Sequence, residues 1–493
     1  MKKLSIFLLA LITLTSCLDE FLDVQPVSET YSAKYWKTES EAKAALASVY
    51  ADMQTNFKPN FALNYIGWYE LRSDNFFGNP VAGTYPFSYI NMNVISPSHP
   101  SSDWNGWYKS IATTNYALHF IPGMTTLTEA KRNHLIAEAS FLRAYCYFNL
   151  IRIWGNVPLI DKPTFTFDDV VKPFRDSSKV VMDSLILKDL DVALSKVDVS
   201  QNDIFIFSAG ALYALCTDVA MWNHDYAKAV TYSQKLFDLN RYKLVSGTDF
   251  NKVCSSAITE ENILTLKWSY LNNGYNPIAQ TLTTQYVLVS KKVKDKWAET
   301  EWLKDVRRRQ TIDSSVVYAS NYLSAINPAA AMWKYEPVKR LVSNVNEKFI
   351  PLYRLADIIL LRAEALNKLA DAHVGSYTHQ DALDELNKVR NRAGLDSMKL
   401  TNQYIINASS LTYGIESAIL QERQFELLGE GKRWFDLMRT GRAITTMNDY
   451  FETELNAHGV TNYTKFTAEW QLYWPVFQDN IIENSNLAQT GLY

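Results

Sequence analysis

Helical patterns come in pairs along this chain, and that pairing constrains its fold more than any other feature. Between about 104 and 154, Trp107, Tyr108, Ile111, Asn115 and Leu118 recur at three- and four-residue spacings. After the breaker pair Pro122-Gly123, Leu135, Ile136, Ala139, Leu142, Cys146 and Asn149 share one face of a second helix, which stops at Gly155 with Pro158 beyond. Over 207–239, Ser208 caps a run of Ala209, Ala211, Leu212, Leu215, Val219 and Trp222, before Asn223-His224-Asp225 turns into Tyr226-Ala227-Lys228-Ala229. A third pair covers 354–370 and 380–392 and closes at Gly394; a last helix covers 415–438, with Gly441 just past its end. Each hairpin leaves one apolar face uncovered, so several must stack to enclose a continuous core.

The run Asp225-Tyr226-Ala227-Lys228-Ala229-Val230 resembles the second helix of a tetratricopeptide repeat. The expected fold is therefore mostly α: irregular tetratricopeptide-like hairpins forming a right-handed superhelical scaffold, with long loop and short-strand insertions. Segments 56–103 and 240–350 carry those insertions, being rich in Asn, Gly, Pro, Ser, Tyr and Trp, with a β-like run at Ile263-Leu264-Thr265-Leu266-Lys267-Trp268. Long structured insertions on a helical platform are where function is usually placed.

The N-terminus sets the address. Lys2 and Lys3, an apolar run from Leu4 to Leu14, and Leu14-Thr15-Ser16-Cys17 read as a secretory signal over 1–16, ending at a cysteine to be cleaved and acylated. Eleven apolar residues reach only about 16 Å as a helix, roughly half a bilayer core, so a transmembrane anchor is excluded. Cys17 is then the lipidation site, 17–30 a tether, 31–239 an N-terminal half with helical repeats, 240–350 a loop-rich insertion and 351–493 a C-terminal half. No later apolar run reaches eighteen residues, so lipid alone touches the membrane.

A net charge of -3 argues against nucleic acid as a partner. Cys146, Cys216 and Cys254 are an odd remainder with no metal-ligand spacing, and buried inert thiols are expected. No His-Glu-x-x-His, Gly-x-Ser-x-Gly or phosphate loop is present; in Gly429-Glu430-Gly431-Lys432 the flanking Glu426 and Arg433 stand where a P-loop needs Gly and Ser or Thr. The adjacent acids Asp168-Asp169 and Glu260-Glu261 cannot face each other across a cleft, as glycoside hydrolysis requires. Histidines such as His373 and His379 are scattered over turns. The chain is expected to be no enzyme, with no metal and no cofactor.

Four ordered blocks carry a resemblance to a family. They are Leu135-Ile136-Ala137-Glu138-Ala139-Ser140-Phe141-Leu142-Arg143-Ala144-Tyr145 with Trp154-Gly155-Asn156-Val157-Pro158; Pro351-Leu352-Tyr353-Arg354 with Arg362-Ala363-Glu364-Ala365 and Val389-Arg390-Asn391-Arg392-Ala393-Gly394; Gln421-Glu422-Arg423-Gln424-Phe425-Glu426 through Gly431-Lys432-Arg433-Trp434-Phe435-Asp436; and Trp474-Pro475-Val476 with the closing Gly491-Leu492-Tyr493. Together they resemble the SusD/RagB family of lipidated nutrient-binding outer-membrane proteins. Ser140 departs from the usual arginine, and the closing segment from the commoner Asn-Pro-Gly-Tyr ending. Arg423 with Glu426 and Arg433 with Asp436, each pair three apart on one helix, and Glu138 with Arg143, read as structural ion pairs.

The resemblance implies a cell-surface lipoprotein that binds nutrient oligomers, most of all glycans, and passes them to a SusC-like TonB-dependent transporter. Asp19 and Glu20 after Cys17 resemble the surface-export signal of such lipoproteins. It also implies a glycan site built by loops from the N-terminal third and the middle insertion. Glu70-Leu71-Arg72-Ser73-Asp74-Asn75 resembles the segment whose acid lies near ligand, which nominates Asp74 and Asn75. Tyr85, Phe87 and Tyr89 follow; Trp268, Tyr270, Asn273 and Tyr275 supply rings and an amide in the insertion, suited to stacking on sugar faces and bonding hydroxyls. Of these, Asp74, Asn75, Tyr85, Tyr270, Asn273 and Tyr275 are the candidate ligand contacts. The alternatives are a peptide-binding RagB-like uptake lipoprotein, and an envelope tetratricopeptide scaffold with no small ligand.

Overall fold

The computed structural model describes residues 35–56, 62–78, 87–255, 257–273, 276–282, 287–313, 331–332, 334–335 and 348–493. Cys17 and its tether lie outside them. Helices α1 (Glu39–Asn56), α2 (Asn105–Phe120), α3 (Glu129–Trp154) and α4 (Leu187–Lys196) form one consecutive run in which each packs on the next. A second run follows through α5 (Ala209–Trp222), α6 (Tyr226–Asp238), α7 (Leu355–Asp371), α8 (His379–Arg392) and α9 (Leu411–Glu426), and α5 also touches α3 and α4, joining the two. The expected mostly α scaffold of stacked hairpins is what the chain adopts.

Periodicity explains which helices lie inside. In α5 every residue from Ala209 to Met221 is buried, and α3 is buried on nearly all sides from Leu135 onward, as befits helices apolar around their whole circumference. The outer α4, α6 and α8 keep one apolar stripe each. Local signals set the ends. The Ser208 hydroxyl accepts from the Ala211 N–H at 3.2 Å, and Gly155 takes φ +72° to stop α3, a conformation a side chain would strain.

Among the described residues, three two-stranded antiparallel ribbons interrupt the helices: β1 (Phe76–Gly78) with β3 (Val287–Val289), β2 (Asn262–Leu266) with β6 (Ile350–Arg354), and β4 (Ile312–Asp313) with β5 (Ala331–Met332). The β-like run in the insertion is thus β2, and it leads β6 directly into α7.

The final helix expected over 415–438 is in fact two, α9 and α10 (Arg433–Arg439), followed by α11 (Ala443–Tyr450). Glycines at 429 and 431, both with φ above +70°, break it, and the freed carbonyls are taken up by other parts of the chain. Arg354 Nη2 donates to the Glu426 carbonyl at 2.6 Å, Lys334 Nζ to the same oxygen at 2.7 Å, and Tyr335 Oη to that of Gly429 at 2.9 Å. The break swings Glu430 into an ionic cluster, where it meets Arg354 Nε at 2.7 Å and also Lys334. The residues expected to pair along one helix therefore pair across elements: Arg423 with Asp357 and Asp436, Glu426 with Arg307, Arg354 and Arg392. Arg143 binds Asp189 of α4 at 2.7 Å, whereas Glu138 makes no ion pair among the described residues.

Candidate functional site

The N-terminal candidates sit on a turn of π-helix, Ile66–Glu70, and the strand β1 that follows. Every residue of that turn is buried, and so are Asp74 (2% exposed) and Asn75 (1%). The Asp74 carboxylate accepts from Arg433 Nε at 2.8 Å and Nη2 at 3.1 Å; burial works to raise its pKa, and the guanidinium outweighs it and holds the group below the ordinary range. The Asn75 amide donates to Glu70 at 3.1 Å and accepts from Gln424 at 3.1 Å. Ser290, just past β3, closes the unit by donating its hydroxyl to the Asp74 carbonyl at 2.7 Å. The structure thus places Asp74 and Asn75, both expected to touch ligand, inside the fold, where they fasten β1 to β3 and to the C-terminal half.

Glu70 is part of the same fastening. Burial raises its pKa to about 7, while the Gly431 N–H at 2.5 Å and the Asn75 amide oppose the shift. Gly431 holds φ +75° with Tyr69 3.1 Å from where its Cβ would be, so the backbone N–H can approach Glu70 only because no side chain intervenes.

This frame fixes where the insertions emerge. Gly78 pairs with Val287, so the chain leaving β1 and the chain entering β3 do so side by side. β5 lies against β3, and Asp313 pairs with Ala331, bringing the ends of a third segment to the same ribbon group. Tyr85 and Tyr275 lie outside the described residues, as do the side chains of Tyr270 and Asn273. The backbone of the latter two forms a short helical turn, Tyr270–Asn273, on which Leu271 is 90% exposed. Among the other aromatics, Phe87 and Trp268 are core residues, against expectation, and Tyr89 is half exposed.

A groove of about 520 Å³ opens beside β2. It is lined by Asp203, Phe205, Arg241, Tyr242 and Glu260, with Thr259 between. Lys267, just past β2, sits with its ammonium 5.4 Å from the Phe205 ring centroid. Ribbon geometry shapes the wall, since Thr265 of β2 donates its N–H to the Ile204 carbonyl at 2.7 Å. Half-buried rings flanked by the carboxylates of Asp203 and Glu260 can hold the C–H face of a polyhydroxylated ring and bond its hydroxyls, while the Arg241 guanidinium donates to the Gln201 carbonyl at 2.8 Å and to that of Val199 and so shapes the wall. Sequence reasoning missed this groove, although Asp203-Ile204-Phe205 and Arg241-Tyr242, each setting a charge beside a ring, were visible signals.

Among the described residues no group of three or more His, Cys, Asp or Glu side chains could hold a metal, and no helix is long and apolar enough to cross a membrane. The three described cysteines are buried and unpaired, and burial pushes the Cys254 thiol up to about 12.

The sequence profile described as SusD family matches residues 331–493, and a second, described as starch-binding associating with outer membrane, matches 20–220. The chain belongs to the SusD/RagB family. Across its whole length this SusD/RagB protein is 27% identical to the SusD-like protein P38 of Formosa agariphila, covering 99% of that relative. In fold it is similar to a laminarin binding SusD-like protein (22% identity, TM-score 0.69, 93% of this chain and 100% of that one). It is also similar to NanU of B. fragilis (21% identity, TM-score 0.73, 94% and 98%). The blocks that carry the SusD/RagB resemblance supply the buried ionic cluster and the β1 frame, and so belong to the scaffold.

Proposed function

We propose that this SusD/RagB protein is a non-catalytic outer-membrane lipoprotein, acylated at Cys17 and exposed at the cell surface, that binds glycan oligomers and delivers them to a SusC-like TonB-dependent transporter. The observation that carries the reading is the open groove beside β2, where the half-buried rings of Phe205 and Tyr242 lie with the carboxylates of Asp203 and Glu260. Its chemistry suits a sugar chain: rings shed water against apolar ring faces while charged groups bond hydroxyls. Family membership and the laminarin binding relative of the same fold support a glycan cargo. Tyr85, Tyr270, Asn273 and Tyr275 are proposed to complete the grip from the segments that the β1–β3 frame presents.

Calorimetry against a panel of polysaccharides, including laminarin and starch, tests the cargo. Saturable heats with at least one glycan, reduced by Phe205→Ala, support it; heats only with peptides would replace glycan by peptide as cargo, and no binding to either would favour a protein-organising scaffold. For the partner, the lipidated protein pulled from detergent-solubilised outer membrane should bring a barrel transporter with it, through an interface above about 2,000 Å². Mass spectrometry should find the acyl chains on Cys17, and Cys17→Ser should release the protein from the membrane.

A further inference from the structure

Glu138 of α3 stands apart from the other buried acids. Asp74, Asp189, Asp218, Glu261, Asp305, Asp357, Glu364, Glu416, Glu422, Glu426, Glu430 and Asp436 each meet an Arg or Lys within ion-pair distance. Asp52 meets Lys109, and Glu454 meets His458 and two backbone N–H groups. Glu70 has no cation, and its two oxygens are taken by the Gly431 N–H and the Asn75 amide. Glu138 is 5% exposed, and it has a single partner among the described residues: its Oε1 accepts from the Tyr50 hydroxyl at 2.9 Å. That hydroxyl in turn accepts from the Phe207 N–H at 2.8 Å, so the phenol is locked in place. Oε2 accepts no hydrogen bond among the described residues.

The same carboxyl lines a cleft of about 460 Å³ between α1, α3 and the 198–206 connector. Ala47, Leu135 and Ile206 form its apolar wall, with Tyr50 and His134 beside the acid and Asp198 and Gln201 on the connector side. At the mouth, Lys43 and Lys131 are both held by Glu39 at 2.7 Å, so neither reaches Glu138. His134 lies one turn away on α3, and burial lowers its pKa below the usual imidazole value, leaving it neutral near pH 7. A buried carboxyl lacking its cation, at the end of an apolar passage, is complementary to a cation on a short aliphatic stem.

We propose that this cleft is a binding site for an aliphatic ammonium or guanidinium group, whose head binds Glu138 Oε2 and whose stem packs on Leu135, Ala47 and Ile206. The inference is independent of the glycan reading. The shared chemistry could be presented by a free small amine or by a lysine or arginine side chain of a polypeptide.

NMR titration of the folded protein at pH 8 with n-butylamine, with a capped tripeptide bearing a central lysine, and with n-butanol as the uncharged control tests it. Five non-hydrogen atoms put the expected dissociation constant of n-butylamine on the order of 1 mM. Saturable shifts from the amine, at least tenfold weaker with n-butanol and at least tenfold weaker in Glu138→Gln, are expected; shifts only from the tripeptide assign the source to a side chain. Ala47→Phe, at an exposed wall position, should also block binding and serves if Glu138→Gln is unstable. Absence of binding by both amines, or equal binding by n-butanol, or binding that survives both substitutions, overturns the proposal.

Discussion

The two halves of the scaffold are held by different physics. Around α2 and α3 the core is aromatic: Trp68 lies 6.0 Å from Trp107 and 5.4 Å from Trp154, and the Trp68 and Trp154 indoles donate to the Ser101 and Ser102 carbonyls. Around α9 and β6 it is ionic. Arg354 meets Glu261, Glu426 and Glu430, while Arg307 meets Asp305, Glu422 and Glu426, all with side chains 0–1% exposed. Burial works to raise the Glu426 pKa, but Arg392, Arg354 and Arg307 together hold it well below the usual carboxylate range. Ring packing tolerates small shifts, whereas a buried ionic cluster demands one arrangement and penalises any member left alone. The ionic half is also where β2 and β6 tie the insertion to α7 and where Gly431 grips Glu70, so the cluster anchors the strands next to it.

The largest effect that would break this contrast is at Arg354. Arg354→Ala removes the cation that Glu261, Glu426 and Glu430 share, leaving them only Arg392, Arg307 and Lys334, and should cost about 3–5 kcal/mol of stability in denaturant unfolding. A loss below about 1 kcal/mol would mean the cluster is energetically idle. Conservative swaps sharpen the comparison. Arg354→Lys cannot reproduce three-way bonding and should cost about 2–3 kcal/mol, whereas Trp154→Phe should cost about 1–2 kcal/mol, since the pocket can partly collapse onto the smaller ring. Equal losses from the two swaps would erase the distinction.

A smaller effect separates the unpaired acid from the paired ones. Burial raises the Glu138 pKa from 4.5 to about 7, against the opposing Tyr50 hydrogen bond and Lys43, with Asp203 adding to the rise. The folded state therefore binds this proton more tightly than the unfolded chain. The stability it contributes is complete below about pH 4.5 and is lost as pH rises through about 7. Glu138→Gln should remove that dependence, making the variant about 1–3 kcal/mol more stable than the wild type at pH 8 and little different near pH 4.5. Parallel stability profiles for the two proteins would place the carboxyl outside a desolvated site.

Local signals were legible because local physics produces them. Ser208 caps α5, Gly155 ends α3 and the alternating run in the insertion is a strand, as the residue patterns predict. What could not be read depended on partners far away in sequence. Asp74 looked like a loop acid until Arg433, 359 residues later, claimed it. Phe87 and Trp268 looked like surface rings, yet they are filled in by the frame, while Phe205 and Tyr242, which line the open groove, lie in connectors that no periodicity marks. The helix break at 427–432 was hidden for the same reason, because the carbonyls it frees are satisfied by Arg354, Lys334 and Tyr335 from other segments.

The central claim is that an inert scaffold presents ring-bearing loops that grip a glycan. Affinity electrophoresis through gels containing each polysaccharide of the panel measures this most directly, using the wild type, Tyr270→Ala, Tyr275→Ala and Asp74→Asn, each checked for an unchanged thermal melt. The account predicts that the wild type and Asp74→Asn are retarded by at least one polysaccharide and that both tyrosine variants run free. Retardation that survives in both tyrosine variants, or is lost on Asp74→Asn alone with the fold intact, would contradict it.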